Sequence, residues 1–262
     1  MNNHLSDFGA SKVLGVPVNR VTMGQVLEVL KQIIAKRQHI RVGVVNAAKL
    51  VNMKRDEQLR VDVMSSDIIL ADGASVVLAS KLLRPALPER VTGIDLMFGL
   101  LELSGRENFR VYFLGASEKI SAETVRRVQQ DYPGVVIAGR QNGYFGDDEE
   151  ERVAQDIAES KANILFVAMT SPKKELFMGK WGDMINVNVI HGVGGSFDVY
   201  AGKVQRAPEL WQRLGLEWLY RVKQEPGRLW KRYLITNTLF ASYIFAELFS
   251  RLISGGRGKV PE

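Results

Sequence analysis

The strongest constraint on this chain is the alternation of short apolar, β-rich runs with segments of helical length. Such runs occur at 41–46, 67–71, 110–115, 135–139, 163–168 and 187–193. Between them, helical periodicity marks 23–36, 48–58, 74–83, 96–103, 122–131, 149–161 and 172–181. A parallel connection needs a long crossover, usually a helix, so this alternation predicts a parallel sheet covered on both sides. Runs such as ILFVAM are apolar throughout rather than at every second residue, as central strands buried on both faces must be. The expectation is an α/β fold: a Rossmann-like, mostly parallel sheet with helices on both faces.

The pattern changes late in the chain. From Pro208 it reads as helix to about Val222, breaks at Glu225-Pro226-Gly227, then runs as helix to about Ile253. Pro226 suits a first helical turn, where its missing N–H leaves nothing unsatisfied. We therefore expect an α/β body at 1–202 and a helical appendage at 203–262, with its last residues, GGRGKVPE, frayed. The stretch 234–253 is about as long as a bilayer span, but it holds Asn237, Glu247 and Arg251. Charges at membrane depth are costly, so a helix lying on the surface is the better reading.

The net charge is +6, and the excess lies mostly after Lys203. A late basic patch suits nucleic acid, anionic lipid or a phosphorylated substrate. Cysteine is absent, which excludes disulfides, thiolate metal sites and cysteine nucleophiles. With three histidines, a histidine-rich metal site is not expected. The N-terminus lacks the continuous apolar stretch of a secretory signal.

Ligands of open α/β sheets bind outside the carboxyl ends of the strands, and the unusual residues gather there. Asn46 ends the first run; its amide can hold a sugar hydroxyl or order the turn into the next helix. Asp72, followed by Gly73, ends the second. A carboxylate there either caps the helix that follows or takes a proton from a hydroxyl. Thr92 resembles a cap and Asp95 suits a first helical turn, with a substrate contact as the other reading. Gly115 begins a turn like those that bind nucleotides. After the sixth run comes Gly192-Val193-Gly194-Gly195-Ser196-Phe197-Asp198, where glycines either let the backbone approach a diphosphate or make a tight turn. Asp198 is placed to pair with Arg206. Arg206, Arg213, Arg221, Arg228, Lys231 and Arg232 form a basic series interleaved with Trp211, Trp218, Tyr220 and Trp230; this is a solvated face, a packing face or a headgroup-binding face. No G-x-G-x-x-G follows the first strand and no Walker lysine motif is present, which counts against a dinucleotide enzyme.

Taken in order, VNAAKL, ADGASVV, Arg90 to Leu96, Gly143-Tyr144-Phe145, Val167 to Glu175, Gly192 to Asp198 and RAPELWQRLGLEWLYR resemble the WecG/TagA/CpsF glycosyltransferases. The resemblance runs from about Leu14 to Arg232. It implies inverting transfer of a hexose-type sugar (N-acetylmannosamine, its uronate, or glucose class) from a UDP-sugar to a polyprenyl-diphosphate-linked sugar, in exopolysaccharide or other surface-polysaccharide assembly. By the same resemblance Asp72 is the general base. Asn46 lies in the same pocket and helps position the sugars, and Arg221 and Arg228, with Lys231 or Arg232 as the third charge, take the diphosphate; Gly73, Thr92, Asp95, Gly115, Lys174, Glu175, Gly194, Gly195 and Arg206 are the further candidate substrate contacts. No metal and no cofactor is implied. Lys174 stands where the family often has Gln, so a contact made there by an amide is altered. The implied location is cytoplasmic, peripheral on the inner face of the plasma membrane, with homo-oligomers possible through an uncovered apolar tail. The rival is a basic α/β protein that binds nucleic acid or anionic lipid without catalysis; no recognised nucleic-acid motif supports it, and nucleic acid is not an expected partner.

Overall fold

The structure is a computed structural model that describes residues 8–255. An antiparallel hairpin, β1 (Ala10–Val13) and β2 (Val16–Asn19), precedes the main sheet. The body then runs α1 (Met23–Ala35), β3 (Ile40–Val45), α2 (Ala47–Met53), α3 (Glu57–Met64), β4 (Ile68–Ala71), α4 (Ala74–Leu83), α5 (Gly93–Glu107), β5 (Arg110–Gly115) and α6 (Glu118–Asp131). It continues with β6 (Val136–Gln141), α7 (Glu150–Glu159), β7 (Ile164–Ala168), α8 (Lys173–Ile185), β8 (Val189–Gly192) and α9 (Ser196–Tyr200). Three helices follow: α10 (Glu209–Arg213), α11 (Glu217–Gln224) and α12 (Pro226–Gly255).

Six strands form one all-parallel sheet in the order β4-β3-β8-β7-β5-β6. The alternation of side chains along each strand divides the core in two. Val42, Leu70, Phe113, Phe166 and Val189 pack with Leu30 of α1, Leu96 and Leu100 of α5, Val128 of α6 and Phe197 of α9. On the opposite face, Val45, Ile69 and Ala71 meet Leu50 of α2, Val63 of α3 and Val76 of α4, while Leu114, Leu165 and Ile190 meet α7 and α8. This is the Rossmann-like α/β architecture expected from the alternation.

The differences from the sequence reading are local. The hairpin was not expected. It packs beside edge strand β4, where the Asn19 side-chain carbonyl accepts from Ile69 N–H at 2.8 Å and so covers a donor the sheet leaves open. The helix read at 48–58 is two helices, because Asp56 caps the second by accepting from Leu59 N–H at 2.9 Å. The single helix read after Pro208 is also two, interrupted at Gly215, whose φ of +72° suits glycine. Pro226 opens α12 as expected. The expectation of a frayed end concerns 255–262: Gly255 is the last residue of α12, and 256–262 lie outside the described residues, as do residues 1–7, on which much of the leader reading rests.

Helix α12 is docked along the body. Phe240 and Ile244 are buried among side chains of α2, α4 and the hairpin. Glu247 accepts from Leu14 N–H at 3.2 Å, and Arg251 donates to the Leu83 carbonyl. Its other side presents Leu234, Phe245, Phe249 and Ile253 to solvent. Among the described residues no helix is long and apolar enough to cross a membrane. Truncating the inner side should cost more than truncating the outer. We expect Ile244→Ala to lower stability by about 2–4 kcal/mol and Phe249→Ala by no more than about 0.5 kcal/mol, as read by urea denaturation.

Candidate active site

Crossovers leave β3 toward β4 on one side, while β8 arrives between β3 and β7 from the other, so a crevice opens at the carboxyl ends of β3 and β8. Each loop there has a local reason for its shape. Asn46 is the N-cap of α2, its side-chain oxygen accepting from Lys49 N–H at 3.0 Å. Asp72 is half-buried at the end of β4 and its N–H donates to the Val45 carbonyl at 2.9 Å, which places it beside Asn46. It does not cap α4: Gly73 holds the N-cap position and no side chain caps that end. Instead Asp72 Oδ1 accepts from Gly93 N–H at 3.0 Å, at the start of α5. Among the described residues its Oδ2 accepts no hydrogen bond, so one carboxylate oxygen is positioned while the other is open.

Gly73 lies against Asn46, whose Cβ would stand 3.1 Å from an added methyl. At Gly115 the φ is +121° and an added Cβ would lie 2.4 Å from the Ala168 carbonyl oxygen, so only glycine makes this turn. Gly194 has a φ of +55°, which accounts for a glycine as turn chemistry, yet a Cβ on Gly194 or Gly195 would meet nothing within 4 Å. These two are not packing glycines; their backbone borders open space.

Beneath the crevice lies a buried charged cluster. Lys49 Nζ and Lys174 Nζ donate to the same oxygen of Glu175, at 2.8 and 3.0 Å, and Glu175 Oε2 is buried without a partner among the described residues. Burial alone raises the Glu175 pKa, but the two ammonium groups override it and pull the carboxyl down to about 2. Burial and the neighbouring Lys49 lower Lys174 to about 8, against the opposing pull of Glu175 and Asp72. The Lys174 stem crosses Gly192, where an added Cβ would meet its Cε at 2.7 Å. Lys174 and Glu175, read as substrate contacts, are therefore turned inward onto each other. His191, one residue earlier on β8, is fully buried and bonds the Gly93 carbonyl through Nε2 at 2.9 Å, so Nε2 carries the proton and, among the described residues, Nδ1 has no hydrogen-bond partner.

A second network joins the body to the C-terminal helices. Thr92 caps α5 and donates to Asp95 Oδ2 at 2.6 Å. Asp95 Oδ1 takes Arg206 Nη2 at 2.6 Å, and Arg206 also lies 5.9 Å from the Phe98 ring centroid. Glu217 of α11 receives Arg90 at 2.9 Å and stands 3.9 Å from Arg206 Nε. The expected Asp198–Arg206 pair does not form: Asp198 pairs with Lys203 at 2.9 Å, five residues on, while the fold carries Arg206 across to α5. Gly215 brings the C-terminal helices to the mouth of the crevice, an added Cβ there lying 2.6 Å from the Cβ of Ala74. Arg221 lies one turn beyond Glu217 on α11, and Arg221, Lys231 and Arg232 are exposed; the Arg228 side chain lies outside the described residues.

The structure thus brings Asn46, Asp72, Gly73, Thr92 and Asp95 together with the end of β8, and adds Lys49, Arg90, His191 and Glu217, which the sequence reading did not choose. Lys49 offered one signal, standing three residues after Asn46 as the one charged residue of its helix. The partners of His191 and Glu217 are too distant along the chain for any spacing to reveal. Among the described residues, no three His, Cys, Asp or Glu side chains gather as a metal ligand set.

Burial makes the His191 pKa fall to about 4, outweighing the Gly93 hydrogen bond. The unfolded chain takes up a proton as pH falls through about 6.5, the usual histidine value, and the folded chain does not until about 4. Stability should therefore drop between those pH values. His191→Gln keeps a donor for Gly93 without the titration, so its urea midpoint should fall less than wild type between pH 7 and pH 5. Equal losses in the two proteins would remove His191 as the cause.

Two comparisons bear on these residues. The model of the glycosyl transferase WecG/TagA/CpsF family matches residues 11–253. The N-acetylglucosaminyldiphosphoundecaprenol N-acetyl-beta-D-mannosaminyltransferase of Bacillus spizizenii (strain ATCC 23059 / NRRL B-14472 / W23) is 44% identical over 170 residues, a match covering 65% of this chain and 65% of that protein. A family model that accounts for the sheet, the crevice loops and all three C-terminal helices leaves one assignment: the chain belongs to the WecG/TagA/CpsF glycosyltransferase family.

Proposed function

We propose that this protein transfers an N-acetylmannosamine-type sugar, with inversion, from a UDP-sugar to a hydroxyl of a sugar carried on polyprenyl diphosphate. The observation that carries this reading is Asp72: a half-buried carboxylate at a strand's carboxyl end, fixed by one oxygen on Gly93 N–H and open at the other. A base so held can accept a proton without having to reorient. The acceptor oxygen attacks the anomeric carbon, its proton passes to Asp72 Oδ2, and the bond from that carbon to the phosphate oxygen breaks. Uridine diphosphate leaves with the electron pair. The choice of sugar rests on the Bacillus relative, whose name specifies transfer of N-acetyl-β-D-mannosamine to an N-acetylglucosaminyl diphosphoundecaprenol.

In this reading Asn46 and the bare Gly194-Gly195 backbone orient the sugars and phosphates. Arg206, Arg221, Arg228, Lys231 and Arg232 supply positive charge for the diphosphates, in the role a divalent cation fills elsewhere. The body and the C-terminal helices act as two parts, the second closing the crevice and docking on the inner leaflet. The uncovered side of α12 supports that docking: Leu234, Phe245, Phe249 and Ile253 form an apolar face beside the basic Lys231 and Arg232.

Asp72→Asn preserves shape and the acceptor oxygen for Gly93 while removing the base. Transfer to a short-chain polyprenyl-diphosphate sugar, followed by mass spectrometry, should fall about 10³-fold or more with unchanged melting temperature; turnover at the wild-type rate would rule out the role. Changing Arg221 and Arg228 together to Ala should raise KM for a diphosphate substrate roughly tenfold or more. If both substrates retain wild-type KM, those arginines are ordinary surface charges.

A further inference from the structure

The buried Lys49–Glu175–Lys174 cluster connects the parts of the crevice that are remote in sequence. Lys49 lies in the first turn of α2, and its N–H is held by Asn46. Lys174 and Glu175 lie in the first turn of α8, which follows β7. The Lys174 stem lies across Gly192, the residue from which the open Gly194-Gly195 turn departs. Through one carboxylate oxygen, then, the ends of β3, β7 and β8 are held in register below Asp72. At 6% exposure neither Lys174 nor Glu175 is available as a surface contact.

We propose that Lys174 is a positioning residue for the transfer reaction. Its ammonium charge keeps the clamp closed and so sets the Gly194-Gly195 turn against Asn46 and Asp72. The inference rests on the function proposed above and deepens it, because the clamp acts through Gly192 and Glu175 rather than by touching a substrate. The charge is also one that pH can remove. The groups facing it are Lys49 from α2, Glu175 from its own helix, Asp72 after β4 and His191 from β8, with Arg41 of β3 and Asp62 of α3 lining an adjoining cleft. That cleft, which Ser65 and Ser66 also line, reaches Lys174 from the flank between β3, α3 and α8 and gives its proton a route to solvent. His191 is neutral across the working range, so it does not mask the change. As pH rises through about 8, Lys174 passes from ammonium to amine and one of the two ion pairs on Glu175 is lost.

The test compares wild type, Lys174→Met and Lys174→Arg in kcat/KM for sugar transfer from pH 6 to 10. Wild type should lose activity with a midpoint near pH 8. Lys174→Met, of similar length and uncharged, should show no such limb and run roughly 10- to 100-fold low throughout. Lys174→Arg keeps its charge, so it should also lack the limb but retain activity above pH 8. A limb of the same midpoint in all three proteins would overturn the proposal. So would full activity in Lys174→Met. A second reading needs neither turnover nor a variant enzyme that folds: in wild-type protein with 13Cε-labelled lysines, one buried resonance should titrate near pH 8. If every lysine titrates at the ordinary value near 10.5, the clamp is not pH-sensitive and the inference fails. Absence of transfer by wild type would instead count against the proposed function.

Discussion

A lysine ammonium can be kept under the end of a parallel sheet only if something compensates it, because an unpaired buried charge costs several kcal/mol. Much of the crevice follows from that requirement at Lys174. Glu175 supplies the counter-charge, Lys49 balances the carboxylate, and Gly192 gives up its side chain so that the lysine stem can cross β8. One strand over, Gly43 is bare for a similar reason, since a Cβ there would press 2.6 Å from Ser66 Oγ. The two glycines are neighbours across the β3–β8 junction, and together they make the dent in which the cluster sits. Electrostatics and backbone shape at this junction are one arrangement.

The C-terminal helices enter the site by a different kind of contact. Their attachment near Asp72 is partly steric, through Gly215 on Ala74, and partly ionic, through Arg90, Glu217, Arg206 and Asp95. These pairs are only partly buried, so solvent screens them more than the deep cluster and they exchange partners more easily. Anionic phosphates entering the crevice would compete for the same arginines. The deep cluster and the shallow network therefore have separate tasks: the first fixes geometry, and the second is open to renegotiation when a ligand arrives.

The sheet was legible in the sequence because the central strands are mostly apolar, β7 on both faces throughout, and the crossovers have a helical period. The hairpin was not: its strands have four residues apiece, and β1 includes Ser11 and Lys12. The split at Gly215 was missed because the flanking segments share one amphipathic pattern. For the crevice, the rule that ligands gather at carboxyl ends of strands led to Asn46, Asp72 and the glycine turn, and all three lie at that edge. What could not be read was who pairs with whom. Lys49 and Glu175 are 126 positions apart, and Arg206 finds Asp95 across 111, rather than the nearby Asp198. Asp95, Lys174, Glu175 and Arg206 could be named from the sequence and Lys49, Arg90 and Glu217 could not, and only the topology decided the partners of either set.

Helix α12 is two-sided, packed on the body along one side and bare along the other. Its inner side completes the core beneath α2 and α4, so the helix cannot swing away without stripping Phe240 and Ile244 from their neighbours. Any surface that engages Phe245 and Phe249 therefore engages, through the same helix, the part of the body on which Phe240 and Ile244 are packed. Under the proposed function, the height at which Asp72 would meet a lipid-borne sugar is then fixed by how α12 sits on the body, like the leg of a table.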